Sequence, residues 1–132
     1  QALSGETVKL GNIHPTRDFN YVTDTTDGFI KIAEAENVDG QVINIGTGNE
    51  ISVGDLLASI LKLMGKPDVP AVSDNARHRP EASEVDRLCA DNTKAKELTG
   101  WSPNHTLDEG LTETIRWVEE NLEKFRTGVY AI

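Results

Sequence analysis

Apolar residues recur at helical spacing near the end of the chain. They stand at intervals of 4, 4, 3, 4 and 3, at Leu107, Leu111, Ile115, Val118, Leu122 and Phe125. This spacing places them on one face of a helix that can pack on a core. Thr106 and Glu109 have the spacing of a capping box, in which each side chain bonds the other residue's backbone. The pattern therefore predicts a long helix that begins just after Thr106.

A second amphipathic stretch lies in the middle of the chain. Its apolar positions are Leu56, Leu57, Ile60, Leu61 and Met64. Ser52 and Asp55 resemble a capping box with Asp in the place of Glu or Gln, and Gly65 is a typical helix terminator. These signals predict a helix between Ser52 and Gly65.

Two more helices are predicted from capping residues. Asp24 can cap a helix that ends by Val38-Asp39-Gly40, and Asp91 can cap a short helix that runs to Leu98. Both predictions assume that an aspartate before an apolar pattern bonds the first free backbone amides of that helix.

The clearest strand signal is Gln41–Gly46, which is apolar on both parities at Val42, Ile43 and Ile45. A strand without polar alternation is usually covered on both faces, as in a parallel sheet. Shorter extended segments are predicted at Phe19–Val22, at Val69–Val72 and at Leu88–Ala90. The polar residues from Ser73 to Asp86 predict a loop.

Strands thus alternate with helices along the 132 residues, and helices dominate. This length suits a single domain, residues 1–132, with a modest core. The order of elements predicts a small, helix-rich α/β fold with a few short strands. The opening residues Gln1–Glu6 read like the end of a helix that enters a turn. They predict that the chain is a piece of a longer protein, with a processed terminus as the alternative.

Charge narrows the range of partners. There are 22 acidic and 13 basic residues, which give a formal net charge of −9. This balance argues against nucleic acid and against anionic membranes as partners, because both need a basic face. No apolar stretch approaches the roughly 18 residues that span a bilayer. The lone Cys89 excludes an internal disulfide and favours a cytoplasmic location.

Two arginines stand out in this acidic chain, Arg17 and Arg79, because each lies in a predicted loop. The planar guanidinium group donates two parallel hydrogen bonds, which suits a phosphate. A local pocket for a small anion is one interpretation. The alternative is an ordinary ion pair, of Arg17 with Asp18 or of Arg79 with a nearby glutamate such as Glu84.

Several short motifs follow one another along the chain. They are Leu10-Gly11, Arg17-Asp18-Phe19, Asn44-Ile45-Gly46-Thr47-Gly48, Arg79-Pro80, Asp91-Asn92-Thr93-Lys94, Gly100-Trp101 and Glu109-Gly110-Leu111. In this order the chain, from about residue 1 to residue 122, resembles the carboxy-terminal part of the extended short-chain dehydrogenases/reductases that act on nucleotide sugars. These enzymes are NAD-dependent epimerases and 4,6-dehydratases, and the two arginine motifs most resemble the dehydratase branch.

The resemblance implies a division of labour. The amino-terminal part of such enzymes is a Rossmann domain that binds NAD and carries a glycine-rich fingerprint and a Tyr-x-x-x-Lys pair. This sequence has neither motif, since Tyr21 is followed four residues later by Thr25 and Tyr130 lies too near the end. We therefore expect the substrate-binding part alone, with no NAD bound to this chain and no turnover by it.

The resemblance also assigns four binding residues. Arg17 and Arg79 match arginines that contact the diphosphate of a nucleoside-diphosphate sugar. Glu84 matches an acidic residue that meets the ribose hydroxyls, a role that Ser83 could take instead. Asn44 matches a position near the nucleotide end of the cleft.

A function from another class stays open at this point. The chain could be a freestanding acidic interaction module that has lost ligand binding. In either case the strand predicted at Gln41–Gly46 needs a sheet neighbour, which could be a missing Rossmann half or a second copy of the chain.

Overall fold

Four helices dominate the computed structural model, which describes residues 1–5, 7–78, 80 and 83–125. Their bounds are Val22–Glu34 (α1), Val53–Leu63 (α2), Thr93–Thr99 (α3) and Leu107–Glu120 (α4). Short 3-10 turns lie at Asn75–Arg77 and Leu122–Lys124. The helix-rich α/β fold predicted from the sequence is confirmed.

Five short strands form two small sheets. They are Val8–Leu10 (β1), Thr16–Arg17 (β2), Ile51–Ser52 (β3), Ala71–Ser73 (β4) and Arg87–Leu88 (β5). β1 pairs in parallel with β4. In the other sheet β2 is central, antiparallel to β3 and parallel to β5. The parallel β2–β5 pair brings two segments that lie far apart in the sequence side by side.

Local capping signals predicted two helix starts correctly. The Ser52 hydroxyl accepts from the Asp55 amide at the start of α2. At the start of α4, Thr106 accepts from the Glu109 amide, and the Glu109 carboxylate accepts from the Thr106 amide. Both capping interactions span only three residues, which is why the sequence pattern finds them.

Asp24 is not an N-cap, contrary to prediction, whereas the Asp91 carboxylate does accept from the first amide of α3, that of Thr93, at 3.0 Å. α1 begins at Val22, with Tyr21 in the N-cap position, and Asp24 lies within its first turn. α3 begins at Thr93 after Asn92. The Asp24 carboxylate instead reaches residues just before α4, a partner that its own neighbourhood in the sequence does not reveal.

Two strand predictions are wrong. Phe19–Val22 is not a strand, because pairing with β5 ends at Arg17 and α1 begins at Val22. Gln41–Gly46 forms no strand with any described residue, and Val42 is 78% exposed. A strand needs a paired backbone, and the described chain places a helix rather than a strand beside this segment. Ile45 packs so closely on α1 that a Cβ on Gly28 would lie 2.9 Å from its Cδ1 atom.

The described core is small. Its buried apolar residues are Val8, Leu61, Ala95 and Trp101. The accessible surface of the protein is 9233 Å², whereas roughly 6,800 Å² is expected for a compact monomer of its mass. Several large apolar side chains, among them Val22, Phe29 and Val42, are mostly exposed. None of the described helices has the length and apolar character that a bilayer crossing requires.

Candidate functional site

The pairing of β2 with β5 brings Arg17 next to Glu84. The Thr16 amide donates to the Asp86 carbonyl at 2.8 Å, which aligns the residues before β5 with β2. Arg17 Nη2 then lies 3.5 Å from Glu84 Oε1, and the two side chains are only 21% and 17% exposed. Two of the four residues assigned from the sequence are therefore in contact.

The predicted alternative, an ion pair between Arg17 and Asp18, is wrong. The Asp18 carboxylate faces away from Arg17 toward the 46–48 turn. Its Oδ1 accepts from the Thr47 amide at 2.9 Å and from the Thr47 hydroxyl at 2.6 Å, and its Oδ2 accepts from the Gly48 amide at 2.9 Å. Arg17 is thus left to Glu84 and to the Thr16 carbonyl, which accepts from its Nη1 at 2.7 Å.

Asp18 also connects the turn to the chain that follows β5. Its Oδ2 accepts from the Ala90 amide at 3.2 Å. The fit is tight at Gly46, where an added Cβ would lie 2.5 Å from the Ala90 Cβ and 2.8 Å from Asp18 Oδ2. Asp18 therefore holds three segments together at the edge where Arg17 and Glu84 meet.

Asn44 lies at the same end of the fold but does not contact the ion pair. Its side-chain amide donates to the Asp91 carbonyl at 3.3 Å. Asn92, next in the sequence, donates to the Gly46 carbonyl at 2.8 Å. Asn44 is exposed and separate from Arg17, so its assignment stays a prediction.

Arg79 lies outside the described residues, so its convergence with Arg17 also stays a prediction. The nearby Arg77, which is not among the four assigned residues, forms an ion pair of 3.2 Å with Asp74. This is a local ion pair between residues three positions apart.

Sequence analysis missed a second charged cluster on the same sheet. Glu50 accepts from the Thr16 hydroxyl at 2.6 Å and from Arg87 Nε at 2.7 Å. The Thr16 hydrogen bond and the Arg87 ion pair hold the pKa of Glu50 below its usual value, and Glu50 raises the pKa of Arg87. No local pattern signals this cluster, because its members are 34 and 37 positions apart.

An apolar groove is a different feature of the surface. It has a volume of about 310 Å³ and lies between α2 and α4, beside the first residues of the chain. Its walls include Leu3, Val8, Leu57, Ile60, Leu111 and Ile115. None of Arg17, Asn44 and Glu84 lines it, so the charged edge and the apolar groove are separate candidate sites.

The described residues contain no cluster of three or more side chains suited to hold a metal. His78 meets the Ser73 hydroxyl, and His105 meets Asp24. At the β2–β5 edge, the Arg17 guanidinium group can bind an anion, and the Glu84 carboxylate can accept hydrogen bonds from hydroxyl groups.

Comparisons with known proteins agree on one family. The family model described as GDP-mannose 4,6 dehydratase matches residues 1–114. UDP-glucose 4-epimerase of Mycolicibacterium smegmatis is 36% identical over 116 residues, which cover 87% of this chain and 35% of that protein. The chain thus spans about a third of the length of that relative.

Solved structures give the same result. UDP-glucose 4-epimerase of Thermotoga maritima, solved with UDP-glucose, superposes with a TM-score of 0.75 at 32% identity, over 88% of this chain and 36% of that one. The Bifidobacterium longum enzyme, solved with NAD⁺ and UDP, has a TM-score of 0.81 at 24% identity, over 94% and 38%. The aligned region is the carboxy-terminal part of these Rossmann-type enzymes.

Proposed function

The chain belongs to the GDP-mannose 4,6-dehydratase family, among the NAD-dependent nucleotide-sugar epimerases and dehydratases, and on that premise we propose that its β2–β5 edge binds the nucleoside diphosphate of a nucleotide sugar. The contact between Arg17 and Glu84 carries this proposal. The two residues are 67 positions apart in the sequence and meet at 3.5 Å. An anion-binding group and a hydroxyl-binding group are thus adjacent.

Each assigned residue has a chemical role in this proposal. Arg17 donates to the diphosphate, and a charge-assisted hydrogen bond of this kind stabilises by roughly 1.5–3 kcal/mol. Arg79 supplies a second guanidinium group. Glu84 accepts from the ribose hydroxyls, and Asn44 lies toward the base. Binding by these remote groups would position the hexose for chemistry elsewhere.

The glycine-containing turn at residues 46–48, which precedes β3 and α2, is not suited to hold NAD. In Gly46-Thr47-Gly48 the amides of Thr47 and Gly48 donate to Asp18, so they are not directed toward a pyrophosphate. We propose that this chain supplies the substrate side and that another part of a complete enzyme holds NAD, the group that carries the hydride.

An exposed apolar surface on this chain supports the presence of a partner that holds NAD. On α1, Val22, Phe29 and Ile30 face solvent, with Phe29 66% exposed. Val42 is also exposed, and no backbone hydrogen bond joins residues 42–45 to the described chain. The unpaired segment could join the edge of a parallel sheet as an added strand, and the apolar face of α1 would then be covered by that sheet. The NAD-binding half is our proposed occupant.

A second copy of the chain is the other candidate occupant, because the same unpaired segment can meet its equivalent. We expect the chain alone to self-associate as its concentration rises, and we expect Phe29→Asp to raise the dissociation constant at least tenfold by placing a charge in the contact. Sedimentation velocity over a concentration series measures this. Glu34→Ala, at the polar end of α1, is the control, and a monomer at all concentrations would contradict the prediction.

Thermal unfolding tests the binding proposal. A nucleotide sugar that binds only the folded protein, at 100 times its dissociation constant, should raise the free energy of unfolding by ~2.7 kcal/mol. UDP-glucose, GDP-mannose and dTDP-glucose are the ligands to compare, and glucose alone is the control. If none of the three nucleotide sugars raises the melting temperature, the proposed function is wrong and the interaction module is favoured.

A further inference from the structure

We propose that Glu84 competes with phosphate for Arg17, so that the site admits a diphosphate readily only when a ribose engages the Glu84 carboxylate at the same time. This inference rests on the proposed function and specifies its selectivity. It makes Glu84 a discriminator between ribonucleoside diphosphates and other small anions of similar charge.

Both terminal nitrogens of Arg17 already face an acceptor. One terminal nitrogen, Nη1, donates to the Thr16 carbonyl at 2.7 Å, and the other, Nη2, faces Glu84 at 3.5 Å. Both side chains are mostly buried. A phosphate that accepts a hydrogen bond from Nη2 must therefore bind next to the Glu84 carboxylate.

A phosphate bound to Arg17 would also be repelled by the charge of Glu84. A phosphate oxygen that accepts from Nη2 would lie within about 7 Å of Glu84. At the effective dielectric constant of a protein surface, repulsion between like charges at this distance lowers the affinity for phosphate by about tenfold or more. Other nearby carboxylates add less to this repulsion, because each already has hydrogen-bond or ion-pair partners. Asp18 is hydrogen-bonded to Thr47, Gly48 and Ala90, and Glu50 is paired with Arg87.

A ribose relieves this repulsion. Its two adjacent hydroxyl groups can both donate to the Glu84 carboxylate, which replaces the pairing that Arg17 gives up. Inorganic pyrophosphate carries comparable charge but no hydroxyl donor. Glu84 is therefore expected to oppose pyrophosphate and to favour UDP.

The test is calorimetric titration of the protein with UDP and with inorganic pyrophosphate. In Glu84→Gln we expect the dissociation constant for pyrophosphate to fall at least fivefold and that for UDP to rise at least fivefold. Glu50→Gln, which removes a paired carboxylate from the same sheet, should leave both within about twofold. With the unaltered protein, 2′-deoxy-UDP should bind several-fold more weakly than UDP.

The outcomes separate the two proposals. If Glu84→Gln weakens both ligands, or leaves pyrophosphate unchanged, the competition is disproved while the binding function stands. If 2′-deoxy-UDP binds as tightly as UDP, the ribose contact is also wrong; this arm needs no variant, so a folding defect cannot obscure it. If the unaltered protein binds no UDP, both proposals fall.

Discussion

Replacing Asp24 with alanine is expected to lower the free energy of unfolding by about 3–5 kcal/mol, the range for breaking a buried charged interaction by removing one partner. Asp24 is only 2% exposed. Its Oδ2 accepts from the amides of Asn104 and His105 at 3.0 and 2.9 Å, and its Oδ1 meets His105 Nδ1 at 2.8 Å. Alanine leaves these donors without a partner.

The position of Asp24 explains why the effect is global. Its carboxylate joins the first turn of α1 to the residues just before α4, and its carbonyl accepts from the indole of the fully buried Trp101 at 3.0 Å. Chemical denaturation measures the loss. Glu34→Ala, on the exposed end of the same helix, is the matched control and should change stability by less than about 0.5 kcal/mol. A loss below about 1 kcal/mol for Asp24→Ala would contradict this account.

The same residue predicts a pH dependence. Burial alone would raise the pKa of Asp24, but the hydrogen bonds from His105 and from the Asn104 amide outweigh burial and lower it. A carboxyl group with a lowered pKa stabilises the fold above its unfolded pKa of about 3.9. This contribution is lost as the pH falls through the folded pKa. Between pH 6 and pH 3, the free energy of unfolding of the unaltered protein should therefore fall more than that of Asp24→Asn. Chemical denaturation at each pH measures the difference.

Asp24 also illustrates what the sequence could not predict. An aspartate before an apolar pattern is typical of an N-cap, and Ser52 and Thr106 do cap their helices through bonds three residues long. The partners of Asp24 are 80 and 81 positions away. Only the packing of α1 against the start of α4 brings them together, so no local pattern contains the information.

The strand predicted at Gln41–Gly46 was wrong for a related reason. Its apolar composition correctly indicates a segment that tolerates cover on both faces, but pairing depends on a neighbouring strand. The described chain supplies Gly28 of α1 on one side and solvent at Val42. Composition therefore indicates which environment a segment tolerates, whereas the rest of the fold decides whether a neighbouring strand is present to pair with it.

The residues of the candidate site were assigned from ordered motifs rather than from local physics, and their binding roles stay predictions. The Arg-Asp-Phe motif and the acidic residue after Arg79-Pro80 gave Arg17 and Glu84 together. Their contact comes from the β2–β5 register, which no short pattern encodes. The hydrogen bonds of Asp18 and the Glu50–Arg87 pair were missed because they depend on the same register.

Replacing Arg17 with alanine is expected to weaken UDP binding by roughly 100-fold. The variant removes charge-assisted hydrogen bonds that stabilise by roughly 1.5–3 kcal/mol each. It also leaves the mostly buried Glu84 carboxylate without its counterion and next to the diphosphate, which adds repulsion. Both effects act in the same direction on affinity.

Arg116→Ala is the matched control for this variant. Arg116 is an exposed arginine on α4 that pairs with Glu113 three residues earlier. Its loss removes the same charge from the protein, and exposed pairs of this kind stabilise by well under 1 kcal/mol. Any general effect of net charge on an anionic ligand should therefore appear in both variants.

Calorimetric titration of UDP into the unaltered protein, Arg17→Ala and Arg116→Ala in parallel tests the assignment of the β2–β5 edge most directly. The binding account predicts saturable UDP binding that Arg17→Ala weakens by roughly 100-fold and that Arg116→Ala leaves within about threefold. Equal affinities for the unaltered protein and Arg17→Ala, or equal losses in both arginine variants, would contradict it.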